Sequence, residues 1–544
     1  MEHDLPRLLS GDGGLQVKYR GKNLYSAVDP IASAEHKARS VNIPPESIVI
    51  VPSPLLGYGL QALVDRLPVS SHVICVEVDE SLMALTFDHL PNELLHNPSV
   101  SFVRLDSPEA LSRFLNPVLQ TGRYRRVTLA PLSGGYSLYS NEYRSLLSVV
   151  EHDIRTNWQN RLTGTFMGRL WIRNIFRNLA ELAGAVDVSE LQSDLPVVVA
   201  GAGESLELTI PWLVRNRDKF FLLAVDTAVA PLVSAGLIPD YVVVVEAQWA
   251  NLRDFVPLAV KSLHLAGDIS SHPAPFRLYR HSTHALFLSE FCHLGLIDRL
   301  RAVGIIRTIV PPLGSVGVVA VHLALILGRA RVFLTGLDFA YRRGKTHARG
   351  TPSHLAALQS AVRLAPDSLY ALTTGNSDIV VAGPEQTVTG QAILTNPVLR
   401  SYAESLRNML KDVSRVNVLG SQGLDIGVQR LESEAEFIAQ LMSNTVTGAI
   451  AANDAHPKRA DVTQFLSGEL ALLIRATDAV TEFLNADSVS GWQALEPRLR
   501  ELDYVYCDFP DAFDGPRSDR SFLKRVLVNL YGYRRTLERA LSVR

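Results

Sequence analysis

Val197-Val-Val-Ala-Gly201-Ala-Gly203-Glu204-Ser205-Leu206-Glu207 is the stretch that decides the fold. Its leading run of apolar, mostly β-branched residues reads as a buried strand. Two glycines follow at once, and a hydroxyl residue then opens a helical pattern. Glycine admits positive φ and lets backbone N–H groups come close to a ligand. A strand ending in such an elbow fits an open parallel α/β sheet and points to a nucleotide or nucleotide-linked substrate. The dinucleotide pattern G-x-G-x-x-G is only partly met, because Leu206 stands where the third glycine is wanted. Asp226 ends the next strand, 23 residues after Gly203. It could reach a ribose or base, or simply cap a helix through Thr227. Glu204 suits a helix N-terminus and repels a polyphosphate. A nucleoside monophosphate conjugate therefore fits the elbow better than a triphosphate.

Working outward, strands are expected at 197–200, 220–225, 241–245, 264–267, 284–288, 307–310 and 331–335, with helices between several of them. The same rhythm runs through the N-terminal 150 residues: strands at Ser47–Val51, His72–Val78 and Val127–Ala130, and a helix at Gly57–Leu67. Alternation of this kind implies parallel sheets. Asn141 to about Gly184 reads helical, and after Leu431 the chain is helical almost throughout, near 431–443, 458–486 and 521–541. Asn453–Pro457 reads as a turn. The fold class expected is α/β: two Rossmann-like doubly wound parallel-sheet units in tandem with a helical C-terminal region. The domains expected are 1–150, a helical connector 151–190, a central unit 191–430 and a helical domain 431–544.

A second ligand element is Gly314-Ser315-Val316-Gly317, opening an apolar helix. The strand after it ends in Gly336-Leu-Asp338-Phe-Ala-Tyr341. Open sheets bind ligands at the carboxyl ends of their strands, which suits Asp338 and Tyr341, although Asp338 could equally cap a turn. Gly344-Lys345-Thr346 imitates the end of a P-loop, but the first glycine of that motif would fall at Phe339, so a P-loop is excluded. His347 and His354 follow within sixteen residues of Asp338. A neutral imidazole can take a proton from a hydroxyl near pH 7; a loop histidine can also be merely solvated. Arg342, Arg343, Lys345 and Arg349 surround His347 and suit an anion, or simply a solvated loop. In the N-terminal unit, Pro52-Ser-Pro54-Leu-Leu-Gly57-Tyr-Gly59 puts prolines where a cofactor turn wants glycines, so scaffolding or partner docking is the better reading there.

Composition bounds the rest. The chain has 544 residues, 47% hydrophobic and 20% charged, and a formal net charge of −2. A large core follows, and a broad nucleic-acid face does not. Three cysteines without metal-ligand spacing suit a reducing compartment. Neither a signal peptide nor a membrane-spanning run is read, so a cytoplasmic protein without membrane insertion is expected. No Asp-x-Asp occurs between 191 and 430, and neither H-E-x-x-H nor C-x-x-C is present. No metal site is expected.

Together these residues resemble the motility-associated factor (Maf) flagellin glycosyltransferases, whose shared domain is also described as 6-hydroxymethylpterin diphosphokinase MptE-like. The resemblance runs through Trp171-Ile-Arg-Asn174-Ile-Phe-Arg-Asn178, the Gly201–Leu206 elbow, Asp226-Thr227-Ala228, Ile238-Pro239-Asp240-Tyr241 and Gly314-Ser315-Val316. It is most specific at Gly336-Leu-Asp338-Phe-Ala-Tyr341 with Lys345-Thr346-His347-Ala348 behind it. The same elements are similar to bacterial sialyltransferases that use CMP-sialic acid. The resemblance implies a CMP-activated nonulosonic acid donor, of pseudaminic or legionaminic type, and a Ser/Thr acceptor on flagellin, with no further cofactor. His347, His354 and Asp338 become the implied catalytic residues. The implied donor pocket takes in Gly201, Gly203, Glu204, Ser205, Leu206, Asp226, Thr227, Asp240, Glu246, Gln248, Gly314, Ser315, Val316, Gly336, Tyr341 and Lys345. Glu204 replaces a proline common in the family, and Val245-Glu246-Ala-Gln248 stands where an aspartate is common. The domain's other description implies a pterin diphosphokinase, against which the missing P-loop and carboxylate pair weigh. A non-enzymatic flagellin-binding assembly factor is the third reading.

Overall fold

The computed structural model describes the chain except residues 1–4, 12, 105–110, 112–113, 116–123, 192, 257, 259, 292–293, 329, 342–344, 361–378, 384–385, 388, 391, 444–458, 487–490, 513–514 and 543–544, and the side chains of 156, 157, 159–161, 360 and 459. Arg342, Arg343, Cys292 and the Asn453–Pro457 stretch thus lie outside the described residues. The chain divides into two compact units, Met1–Phe166 with Asp508–Pro516, and Met167–Cys507 with Arg517–Arg544.

The first unit opens with an antiparallel meander that the sequence reading missed: β1 (Arg7–Gly11), β2 (Gly14–Tyr19) and β3 (Lys22–Asn23). Its parallel sheet holds β4 (Ser47–Pro52), β5 (His72–Glu77), β6 (Val100–Arg104) and β7 (Arg126–Leu129) in the order β6-β5-β4-β7. Every residue of β4 is buried, as expected for a parallel strand covered on both faces. The carboxyl edge of this sheet is filled by its own side chains. Ser53 Oγ (2.7 Å) and Tyr143 Oη (2.9 Å) both donate to the buried Glu77 carboxylate. A Cβ on Gly59 would lie 2.5 Å from the Ala34 carbonyl oxygen. Gly59 thus stands where the packing leaves no room for a side chain.

The second unit is built on β8 (Val186–Asp187), β9 (Val197–Ala200), β10 (Phe221–Val225), β11 (Tyr241–Val244), β12 (Leu265–Asp268), β13 (His284–Ser289), β14 (Ile309–Val310) and β15 (Val332–Thr335). After a small β16–β17 pair (Val380–Ala382, Ile393–Thr395) it adds β18 (Val416–Leu419) and β19 (Arg430–Leu431). The sheet order is β14-β13-β12-β11-β10-β9-β15-β18-β19, with β8 on β13, and every pairing is parallel. The chain winds outward from β9 to β14, then returns to the other side of β9 with β15. The carboxyl ends of β9 and β15 therefore flank the topological switch point, where a doubly wound sheet takes its ligand.

The helix Ser140–Glu181 runs through the expected connector. Helices Glu434–Met442, Arg459–Asn485, Trp492–Glu501 and Arg520–Ser542 make the C-terminal region. Those helices belong to the same compact unit as the central sheet. Phe176, Tyr504 and Tyr533 stack edge-on with centroids 5.7–6.1 Å apart. Arg299 reaches the buried Glu469 carboxylate at 2.6 Å, and Tyr504 Oη donates to the same group.

Candidate functional site

The elbow after β9 and the loop after β15 are bolted together. Gly201 N–H donates to Thr335 O (2.8 Å) and Gly203 N–H to Gly336 O (2.7 Å). Ser205 gives both its N–H (2.8 Å) and its hydroxyl to the two oxygens of Asp338, while Ser205 Oγ accepts the Gly336 N–H at 2.9 Å. The close approach is why the glycines are there. A Cβ on Gly201 would lie 2.4 Å from Gly336 O, and one on Gly203 2.6 Å from Asp338 Oδ2. Gly336 sits at φ +66, where a side chain would be strained as well as 2.1 Å from Gly201 O.

This bears on the expectation that backbone N–H groups of the elbow come close to a ligand. Those of Gly201, Gly203 and Ser205 are already used inside the protein. Asp338 is fully buried, and burial raises its pKa while the Ser205 donors pull the other way. With both oxygens on Ser205 it is a positioning residue that caps the helix Ser205–Arg215. Leu206 is core, with no exposed surface.

Lys345 is matched as closely. Its ammonium lies 3.3 Å from Glu204 and 2.8 Å from Glu207, and the Lys345 and Glu204 side chains are each only 11% exposed. Glu207 also accepts the Arg349 N–H (2.8 Å). Burial opposes ionisation of Glu207, but these donors hold its pKa below the usual range. The acid expected to repel a polyphosphate is thus a partner of the base expected to attract one.

A third element reaches the same point. A Cβ on Gly317 would meet the Leu337 side chain at 2.6 Å, the same distance as one on Gly201. Gly314 turns at φ +69, and Ser315 then opens the helix Val316–Leu327 with no side-chain cap. Its first-turn amides point the way an anion would be held, in contrast to the elbow helix that Asp338 closes.

Further along the edge, Asp226 is buried and its pKa raised by burial. It accepts the Thr227 N–H (2.7 Å) and the Asn251 amide (2.8 Å), which ties β10 to the segment after β11. Asp254, in that segment, is a residue the sequence reading missed. It is 3% exposed, its Oδ1 is without a hydrogen-bond partner, and burial plus the Asp226 charge push its pKa up to about 6. Glu246 and Gln248 are exposed, Glu246 accepting the Gln248 N–H at 3.1 Å. Asn174 and Asn178 fix the loops around them: each buried amide donates to two carbonyls, Ala247 and Ser270 for the first, Ile269 and Ser271 for the second, at 2.8–3.1 Å. Their i, i+4 spacing was the available signal. Asp240 is not at this edge. It precedes β11 at the amino end, where it accepts the Leu222 N–H (2.6 Å) and Arg217 (2.8 Å). Tyr341 Oη accepts from Asn396 at 2.7 Å.

The two histidines differ. His354 Nδ1 accepts the Gly350 N–H at 3.4 Å, so its neutral ring carries the proton on Nε2. His347 Nδ1 lies 3.1 Å from Thr346 Oγ1, to which it can donate, leaving Nε2 basic. Burial lowers both pKa values, helped by Arg253 at His347 and Lys345 at His354. Both rings are neutral near pH 7.

Comparison with known proteins places these features. Residues 173–344 match the family model described as 6-hydroxymethylpterin diphosphokinase MptE-like. The chain is 29% identical over 571 residues to a protein of Treponema pallidum (strain Nichols) named only as uncharacterized, covering 99% of this chain and 96% of that one. A second such protein of the same organism is 31% identical over 86 residues, 15% of this chain and 40% of its own length. Among solved structures, the Maf glycosyltransferase from Magnetospirillum magneticum AMB-1 superposes with a TM-score of 0.56 at 14% identity, covering 98% of this chain and 92% of that one. Residues 173–344 are thus similar to the MptE-like family, and the chain has the fold of the Maf glycosyltransferase, as the sequence resemblance implied.

Proposed function

We propose that this protein is a glycosyltransferase that moves a nonulosonic acid, of pseudaminic or legionaminic type, from its CMP conjugate to Ser or Thr of flagellin. The observation that carries the reading is the convergence at the β9–β15 switch point. The elbow, the Asp338 loop and the uncapped start of the Val316–Leu327 helix meet there around Leu337. In this reading the donor's phosphate or carboxylate sits on the amides following Ser315. Asp338 and Ser205 hold the floor of the pocket. His347, through Nε2, takes the proton from the acceptor hydroxyl as the sugar–phosphate bond breaks. Backbone dipoles aimed at the departing phosphate stabilise the charge it develops. Catalysis routed through these groups asks for no further cofactor.

The matched Lys345 cluster favours one alternative, a flagellin-binding assembly factor without turnover, since it leaves little net charge at the elbow for an anionic donor. Co-expression with flagellin and intact-mass measurement separates the two. A sugar-sized increment that requires this protein is the expected result. Transfer by His347→Ala should then fall about 10²–10³-fold, and by His354→Ala less than about tenfold. No increment with any CMP-nonulosonate, alongside retained flagellin binding, would leave only the assembly factor.

A further inference from the structure

A second charged region lies away from the elbow, and its electrostatics are of the opposite kind. A cleft of about 510 Å³ is lined by Arg169, Arg173, Arg177, Arg277, Arg535 and Arg539. The first three recur every fourth residue on the helix Ser140–Glu181, and the last two do so on the helix Arg520–Ser542. Among the described residues one carboxylate, Glu181, lines the cleft, and Arg277 already grips it with two hydrogen bonds. Small residues, Ala180, Gly532 and Ala540, leave the space between the guanidinium groups open. Elsewhere in this unit Arg299 is matched with Glu469, Arg217 with Asp240, and Arg415 and Arg430 with backbone carbonyls. Burial and the like charges of Arg173 and Arg277 hold the Arg177 pKa down, so ionisation there is opposed by its neighbours. His272, beyond β12, is lowered by burial and by Arg277 and Arg177 in turn. A protein with a net charge of −2 that gathers like charges at one place stores repulsion there.

We infer that this cleft is a binding site for a small oligophosphate, a ligand carrying two or more adjacent phosphate groups. Four helical residues rise about 6 Å, so the three arginines of the first helix span about 12 Å and the charge is dense. Guanidinium forks match phosphate oxygens in pairs. Adjacent phosphates, each charged, concentrate negative charge over a few ångströms, whereas an extended acidic peptide turns alternate side chains away. The volume is that of a small-molecule pocket. The site stands independently of the glycosyltransferase reading, because its residues take no part in the β9–β15 convergence.

Calorimetry on the full-length protein with inorganic tripolyphosphate, at about 150 mM salt, tests it. The expected result is one site, bound at least about tenfold more tightly than orthophosphate, with a rise in Tm on binding. Arg535→Gln/Arg539→Gln changes two exposed side chains and should weaken binding at least about tenfold; Arg173→Gln should do so independently. The inference is overturned if tripolyphosphate and orthophosphate bind alike, or if the double variant keeps full affinity. It is overturned equally if affinity is lost instead in Lys345→Gln, or if poly-glutamate or a single-stranded oligonucleotide displaces tripolyphosphate at lower concentration.

Discussion

At the elbow, charge and hydrogen-bonding capacity are consumed internally. Lys345 meets Glu204 and Glu207, and Asp338 meets Ser205 twice. At the arginine cleft six arginines line the walls with, among the described residues, one carboxylate, Glu181, which Arg277 holds. The elbow's charges stood out in the sequence; the cleft's arginines did not, because they come together only where two helices distant in the chain and Arg277 line one cleft. The difference teaches that a charged motif announces a ligand only when its partners are missing from the fold. By that measure the elbow is architecture that locks two loops together, and the cleft is a surface built to be filled.

The comparison breaks most sharply at Gly336. If the elbow is architecture, Gly336→Ala should destabilise the second unit by at least about 3 kcal/mol, since it combines positive-φ strain with overlap of the Gly201 carbonyl. Denaturant midpoints measure it, and a change below about 1 kcal/mol would mean that the two loops separate easily. A smaller effect concerns Asp254. An aspartate whose folded pKa is about 6 binds its proton more tightly folded than unfolded. Stability should therefore fall as pH rises from about 4 towards 6. Asp254→Asn should raise Tm by a few degrees at pH 8 and leave it unchanged near pH 4; equal effects at both pH values would show that the group does not titrate in that window. The smallest effect sharpens the comparison by its sign. Lys345→Gln should lower stability, because it strips two largely buried carboxylates of a partner, while Arg173→Gln without ligand should raise it by a few tenths of a kcal/mol. Adding salt should shrink both differences, and a loss in both variants would make the cleft as matched as the elbow.

The sheet was largely legible. Val197–Ala200, Phe221–Val225 and Val332–Thr335 fall within a residue of their expected places, because buried parallel strands are short runs of β-branched residues bounded by turns. Arg430–Leu431 and the meander at 7–23 were missed, being two-residue or exposed strands with little apolar signal. The site was legible by position and not by role. Gly201, Ser205, Gly336 and Asp338 do converge, but a sequence cannot say whether a glycine makes room for a ligand or for another loop. Asp240 was misplaced because it entered only through the family resemblance, although the strand expected at 241–245 in a parallel sheet already put it at an amino end. Asp254 carried no motif, since its pKa arises from burial and from Asp226.

Asn174 and Asn178 set one further property of the carboxyl edge. Asn174 holds Ala247 O after β11 and Ser270 O after β12, and Asn178 holds Ile269 O and Ser271 O, so one helix face anchors the starts of both loops at four carbonyls. The entropy of ordering those loops is lost when the protein folds, and a ligand arriving later does not lose it again. The starts of these loops at the carboxyl edge are therefore ordered by the fold itself.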